Sequence, residues 1–375
     1  MLFRSDINPN QADVRSGCTP LSWAAGNGHS GVVEMLLKRE DLNLNQPDTR
    51  SGRTPLLWAA EKGHEGIVRV LLERGDVDPN QADTNYGQTP LSRAAENGHS
   101  GVVKMLLERR DINPNQTVTR SGRTLLSWAA ENRHEWVVKV RLEREDINPN
   151  QADTGSGCTP LSWAAGNGHS GVVKMLLKRE DVNPNQADTI FGRTPLSWAT
   201  QNGHSGVVKM LLERRDVNPG QPDARSGRTP LLWVAISGHE GLVKMLLERE
   251  DVDPNQADTI FCRTPLLWAA LNGHEGVVKI LLELEDVDPN QTDARSGRTP
   301  LLWAAENGHS GVVNMLLERK DVNPDQTEAG SRRTPLWRAA VEGHSGLRIL
   351  LGRAGTRPGQ ASVGCGHMPL SEAWE

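Results

Sequence analysis

The stretch DVDPNQAD stands at residues 76–83 and again at 251–258, with acidic and amide oxygens at every second position. That is how a calcium-binding loop begins. Such a loop needs glycine at its sixth position and a bidentate acid at its twelfth. Here the sixth residue is Gln81 or Gln256, and the twelfth falls on Gly87 or Cys262. Other copies carry Asn at the third position, as at Asn8 and Asn183. The stretch therefore reads as a turn. Pro79 fixes its φ and stops the preceding helix, Asn80 tolerates left-handed backbone, and Gly87 supplies a positive φ before the next element.

Other strings with chemical potential fail on context. GNGHSG at 26–31 and 166–171 fits G-x-G-x-x-G but follows a helical stripe rather than a strand, and another copy has Glu96 in place of its first Gly. GHSG lacks the residue an esterase elbow needs between Ser and the second Gly, and Ser30 becomes Glu65 in the next copy. Ten of the eleven histidines, His29 to His344, share one repeat position. Neighbouring helices lie about 8–10 Å apart, too far for one His per unit to gather on zinc, so each ring is expected to bond loop backbone. Cys18, Cys158, Cys262 and Cys365 have no metal or redox spacing. Cys18 and Cys158 lie four units apart, beyond the reach of a disulfide. Eight Trp occupy the repeat position before the Ala pair, including Trp163, Trp198 and Trp303, although the pair is Ala199 and Thr200 after Trp198 and Val234 and Ala235 after Trp233. A stacking platform for bases is conceivable, but half-buried packing between units is the expectation.

A net charge of −5, with both signs interspersed through 375 residues, argues against a nucleic-acid face. No apolar run approaches the roughly 18–20 residues that span a bilayer, and MLFRSDINPN is not a secretory signal. The N-x-T sequons at Asn115 and Asn290 then read as chance matches. A reduced, intracellular setting is expected, cytoplasmic or nuclear.

The elements that carry these residues follow from an internal repeat. Ten threonines, from Thr19 to Thr334, recur every 35 residues, and all but Thr124 precede Pro. In residues 54–74, Thr54 is a good N-cap and Pro55 suits the first helical turn. Leu56, Ala59 and Ala60 form one apolar stripe, Gly63 ends that helix, and Ile67, Val68, Leu71 and Leu72 form a second stripe. Helices this short are unstable alone. Stacking identical pairs buries both stripes in a shared core.

The motif GRTPLLWAAENGHSGVVNMLLERKD at 297–321 resembles the ankyrin repeat in its G-x-T-P-L, paired alanines, G-H, and V-V followed by paired leucines. The resemblance implies an all-α ankyrin-repeat solenoid of ten helix–turn–helix units. The family period is about 33 residues. The surplus here lies between the paired leucines and the next Thr, so longer hairpin connectors are expected. After T-P-L stands Ser22 or Leu57 where the family often has His, and Trp23 or Trp58 follows. Units with TPLSWAA and DVNPNQ also resemble fungal arrays, often the sensor end of NACHT-type nucleotide-binding receptors. The expected division is a partial repeat over 1–18, ten repeats over 19–353, and the start of an eleventh over 354–375. Neither end carries a polar cap, and a piece of a longer multidomain chain is expected.

Members of the family bind protein partners with hairpin tips and the exposed side of the first helix. The resemblance thus implies a non-enzymatic scaffold for a protein partner, monomeric unless part of a larger assembly; no cofactor, metal, nucleic acid or membrane is expected. Two positions vary. The tip residue is Ser in seven repeats but Tyr86, Phe191 and Phe261 in three, with Ile190 and Ile260 just before the two Phe. The residue after the Ala pair is Glu61, Glu96 and Glu131 early, and Ile236, Leu271 and Val341 later. An apolar patch is expected over the sixth to eighth repeats, flanked by Arg193, Arg228, Arg263 and Arg298. The alternative is that these side chains lie flat on the neighbouring hairpin. Two other functions stay open: a regulatory fragment of a nucleotide-hydrolysing receptor, and an array without a selected partner. Residues 18–33 and 158–173 are identical, which suggests recent duplication.

The fourth repeat departs most from the pattern. Leu125 replaces Pro, Arg133 and Trp136 replace Gly, and Arg141 replaces a stripe Leu. A weak point is expected over 119–148.

Overall fold

Thr54 opens the first helix of the second repeat, Pro55–Lys62, because its Oγ1 accepts the Leu57 N–H at 3.2 Å. Pro55 occupies the first turn, where no N–H is needed. Gly63 closes the helix at φ 73°. The same start recurs in the first helices Pro20–Gly26, Pro90–Glu96, Pro160–Gly166, Pro195–Gln201, Pro265–Asn272, Pro300–Glu306 and Pro335–Val341. Leu125–Glu131 forms without Pro, its Thr124 still capping Ser127. Losing the proline costs that helix a preference, not its cap.

The computed structural model describes residues 7–113, 115–117, 122–344 and Gly352. Over them the chain is an all-helical solenoid of 19 helices with no strand, only an isolated bridge between Thr117 and Thr124. The first six residues of the expected partial repeat, the second helix of the tenth repeat and the start of an eleventh lie outside the described residues. The chain divides into two compact units, Met1–Trp233 with Glu248–Val252, and Val234–Leu247 with Asp253–Glu375. Within each, first helix packs on first helix and second on second, as Pro55–Lys62 does on Pro20–Gly26 and Glu275–Leu282 on Ser310–Glu318. The stripes face these contacts: Leu56, Ala59, Ala60, Ile67, Val68 and Leu71 are all buried.

The chain returns between repeats through a hairpin. Asp48 N–H bonds the Arg53 carbonyl at 2.9 Å, and Gly52 N–H bonds the Asp48 carbonyl at 3.0 Å. Gly52 is needed twice, for its φ of 70° and because a Cβ there would lie 2.5 Å from Thr84. Adjacent hairpins join through backbone, as Thr84 N–H to the Ser51 carbonyl at 2.9 Å. Arg133, Cys262 and Arg332 hold positive φ without being glycine, at 61°, 55° and 56°. Left-handed backbone is costly for such side chains. The expected loss of a Gly in the fourth repeat is therefore absorbed as strain, with the backbone path kept.

The histidines do bond backbone, but across repeats rather than within their own loop. His99 Nε2 meets the Glu61 carbonyl at 2.9 Å, His169 that of Glu131 at 2.8 Å, and His309 that of Leu271 at 3.0 Å. Each ring thereby satisfies a carbonyl left orphaned at the C-terminus of the preceding repeat's first helix. His134 instead stacks on Trp128, with ring centroids 4.7 Å apart.

Candidate partner-binding face

The DVDPNQAD connector uses its oxygens for a ladder between repeats. Asn80 Nδ2 donates to the Asp111 carbonyl at 2.7 Å, and Asn80 Oδ1 accepts the Asn113 N–H at 3.0 Å. Asn115, Asn150 and Asn290 make the same pair of bonds one repeat on. Asp78 Oδ1 accepts the Asn80 N–H at 2.9 Å, an Asx turn. Position one, as Asp111, takes the Arg109 guanidinium, whose other arm caps the Leu72 carbonyl. Among the described residues no group of three or more His, Cys, Asp or Glu is gathered for a metal ion. Melting curves with chelator and with millimolar calcium should superimpose. A rise of several degrees with calcium would show oxygens free for the ion.

The last residue of the octet is buried and organises the hairpin. Asp48 accepts the N–H groups of Arg50 and Ser51, the Ser51 hydroxyl, and Trp58 Nε1 at 3.2 Å. Burial alone would raise its pKa, but the bonds from Ser51, Arg50 and Arg53 outweigh it and hold the carboxyl below the usual range. Asp153, Asp188, Asp258 and Asp293 receive Trp163, Trp198, Trp268 and Trp303 in the same way. Where the third and tenth repeats lack that Trp, Arg93 and Arg338 reach the same acid, Asp83 or Glu328.

The arginine that precedes the capping Thr in seven of the ten repeats completes this face. Arg193 lies 4.7 Å from the Trp198 ring and 4.5 Å from the next repeat's Trp233. Arg263 lies between Trp268 and Trp303 at 4.8 and 4.7 Å. Such stacking adds cation–π attraction on both sides. The residue after the Ala pair then binds the guanidinium: Glu61 takes Arg53 at 2.8 Å, Glu131 takes Arg123 at 2.5 Å, Glu306 takes Arg298 at 2.7 Å, and Gln201 takes Arg193 at 2.8 Å. The early Glu row is thus a set of internal ion pairs. Sequence reading missed the pairing, although Arg and Glu stand eight residues apart in several repeats.

The anticipated contact residues fall into distinct settings. In the first unit Tyr86 and Ile190 are exposed, while Phe191 is half-buried, edge-on to Trp198 at 6.0 Å and beneath Arg193 at 4.6 Å. In the second, Ile260 is exposed and Phe261 repeats the arrangement with Trp268 and Arg263. Ile236 and Leu271 are half-buried, and their carbonyls take His274 and His309. Arg263 is buried, Arg228 stacks on Trp233 at 4.9 Å, and Arg298 binds Glu306 and Glu328. These arginines stand in the tryptophan stack.

Among the described residues no helix is long and apolar enough to cross a membrane. No curated protein is a significant match to the chain. The ankyrin repeat domain of human ASB11 is a similar solved structure, 25% identical, with a TM-score of 0.52 over 62% of this chain and 98% of that one. Significant matches extend to 567 solved chains, so the fold by itself selects no partner. The family described as "Ankyrin repeats (3 copies)" matches residues 1–83, 76–153, 142–223, 161–258, 216–293 and 266–361. With those matches laid over capped helix pairs and hairpins that recur every 35 residues, the chain belongs to the ankyrin repeat family, whose repeats are generally modules for protein–protein interaction.

Proposed function

We propose that this chain is a non-enzymatic scaffold that recognises another protein through its hairpin tips and the exposed side of its first helices. The observation that supports this most is the pair of tips in the sixth and eighth repeats. Ile190 and Ile260 are 54% and 53% exposed, at a position where other repeats carry Arg, Asn or Gly. The polar groups around them are engaged inside the frame, so aliphatic surface there is free for a partner. Phe191 and Phe261 support each tip from beneath, and Tyr86 offers a third in the third repeat. Ile236 and Leu271 extend the apolar surface onto first helices of their unit.

Sister repeats supply the test. Ile190→Arg with Ile260→Arg imports the residue of Arg225 and Arg295. The variant should keep its stability within about 0.5 kcal/mol and lose a partner captured by the wild type, since central contacts are worth roughly 2 kcal/mol or more apiece. Undiminished capture by a folded variant would place recognition elsewhere.

A further inference from the structure

In the first and fifth repeats the tryptophan stack lacks its arginine. The first repeat has Cys18 where Arg53, Arg193 and Arg263 stand, and Gly26 where Glu61 and Gln201 bind that guanidinium. The fifth repeat makes the same paired exchange, Cys158 with Gly166. Between the first and second repeats this leaves a cavity of about 410 Å³ lined by Cys18, Trp23, Gly26, Asp48 and Trp58. That is within the size of ordinary ligand sites. Trp23 is 52% exposed, whereas its counterpart Trp268 is 9% exposed beside Arg263.

The structure assigns this slot to an arginine side chain of a partner protein. The filled slots show how it would be held. Arg263 lies between two indoles, with Asp293 of the next repeat 3.5 Å from its Nη2. Trp23, Trp58 and Asp48 hold the matching places in the open slot. Arg50, Arg53 and Lys62 also line it, and their charges oppose a cation. Burial lowers the pKa of Arg193 most, Asp223 and Asp188 support its charge, and Arg228 and Arg225 oppose it, and it is stacked nonetheless. A planar guanidinium suits the gap between two indole faces better than an ammonium, because it stacks and is more weakly hydrated. Gly26 leaves the rim open: a Cβ there would rest in ordinary contact with Trp58, 3.5 Å from its Cβ. The proposal deepens the reading of the chain as a protein-binding array.

The test uses single amino-acid amides and the full chain, so failure of the slot and failure of protein binding are separate results. N-acetyl-arginine methylamide should shift the indole N–H resonances of Trp23 and Trp58 and saturate at roughly millimolar concentration, as expected for two cation–π faces. The uncharged citrulline analogue and the lysine analogue should bind at least about tenfold more weakly. Cys18→Arg with Gly26→Glu, which rebuilds the pair of the second repeat, should remove the response while keeping the Trp58 resonance of the folded chain. Trp23→Leu should weaken it as well. A citrulline or lysine analogue binding as tightly as arginine would overturn the assignment. So would an unchanged response in the rebuilt variant, or no saturable shift in the wild type.

Discussion

Replacing Arg141 by leucine should stabilise the chain by about 3 kcal/mol. Arg141 is 1% exposed, and its Nε and Nη1 have no hydrogen-bond partner. It occupies the place of Leu71, Leu106 and Leu176, which are fully buried. The gap beside it, about 10 Å³, has room for about one water and none for a counter-ion. Burial pushes its pKa well down from the ordinary arginine value, to about 10, with the Arg144 charge adding to the shift and Asp146 opposing it. At about 1.4 kcal/mol per pKa unit, the folded state holds this cation at a cost of about 3 kcal/mol. The unfolded chain keeps the proton more tightly, so the cost is complete below about pH 10 and eases only as pH rises through 10 towards the ordinary arginine value. The gain in Arg141→Leu should accordingly be flat from pH 6 to 9. Denaturant melts measure it, and backbone exchange over residues 124–142, expected to be the fastest among interior repeats in the wild type, should slow. An unchanged or lower midpoint would mean that the guanidinium is solvated in solution.

Removing the Asp293 carboxylate should cost about 3 kcal/mol. Asp293 is 1% exposed and accepts the Ser296 N–H at 2.6 Å, the Ser296 hydroxyl at 2.8 Å and Trp303 Nε1 at 2.8 Å. Asp293→Ala leaves those donors buried and takes the nearest carboxylate from Arg263. Hydrogen bonds to a charged group are each worth about 1.5–3 kcal/mol. Asp321→Ala is the comparison: its pair with Arg319 is half exposed and worth at most about 1 kcal/mol. Equal losses in the two variants would remove the hairpin acid from its central role. Burial raises Asp293, yet bonds from Ser296 and Trp303 and the Arg263 charge leave its pKa lowered. Glu328 is held at about 2: burial raises it, and Ser331, Arg338 and Arg298 bring it down. Depressed acids contribute stability above their unfolded pKa near 4 and lose it as pH falls through the folded values. Acid unfolding should therefore set in below about pH 4, and Asp293→Ala should flatten that limb.

The helices were legible in the sequence because their causes are local. Thr54 and Pro55 start one, Gly63 ends it, and the Leu56–Ala59–Ala60 stripe turns it inward. The cross-repeat bonds were not. His99 reaches a carbonyl 38 residues back, and Asn80 bonds Asp111 and Asn113 in the next connector, separations that no helical or strand periodicity marks. The Trp–Asp bond spans ten residues through a hairpin whose path had to be known first. The signal for the arginine stack was present in the joint exchange of Cys18 with Gly26 and Cys158 with Gly166. It gains meaning once Arg53 and Glu61 are seen in contact. The fourth repeat was readable through Arg141, whereas Val118, which replaces the hairpin acid there, became informative only after Asp48 and Asp293 showed what the acid does.

Protein recognition by the tips is tested most directly by photo-cross-linking. An activatable residue is placed in turn at position 260, on a hairpin tip, and at position 279, exposed on the second helix Glu275–Leu282. The expected result is a partner adduct from position 260 and none from position 279. An adduct from 279 alone would contradict recognition by tips and first helices.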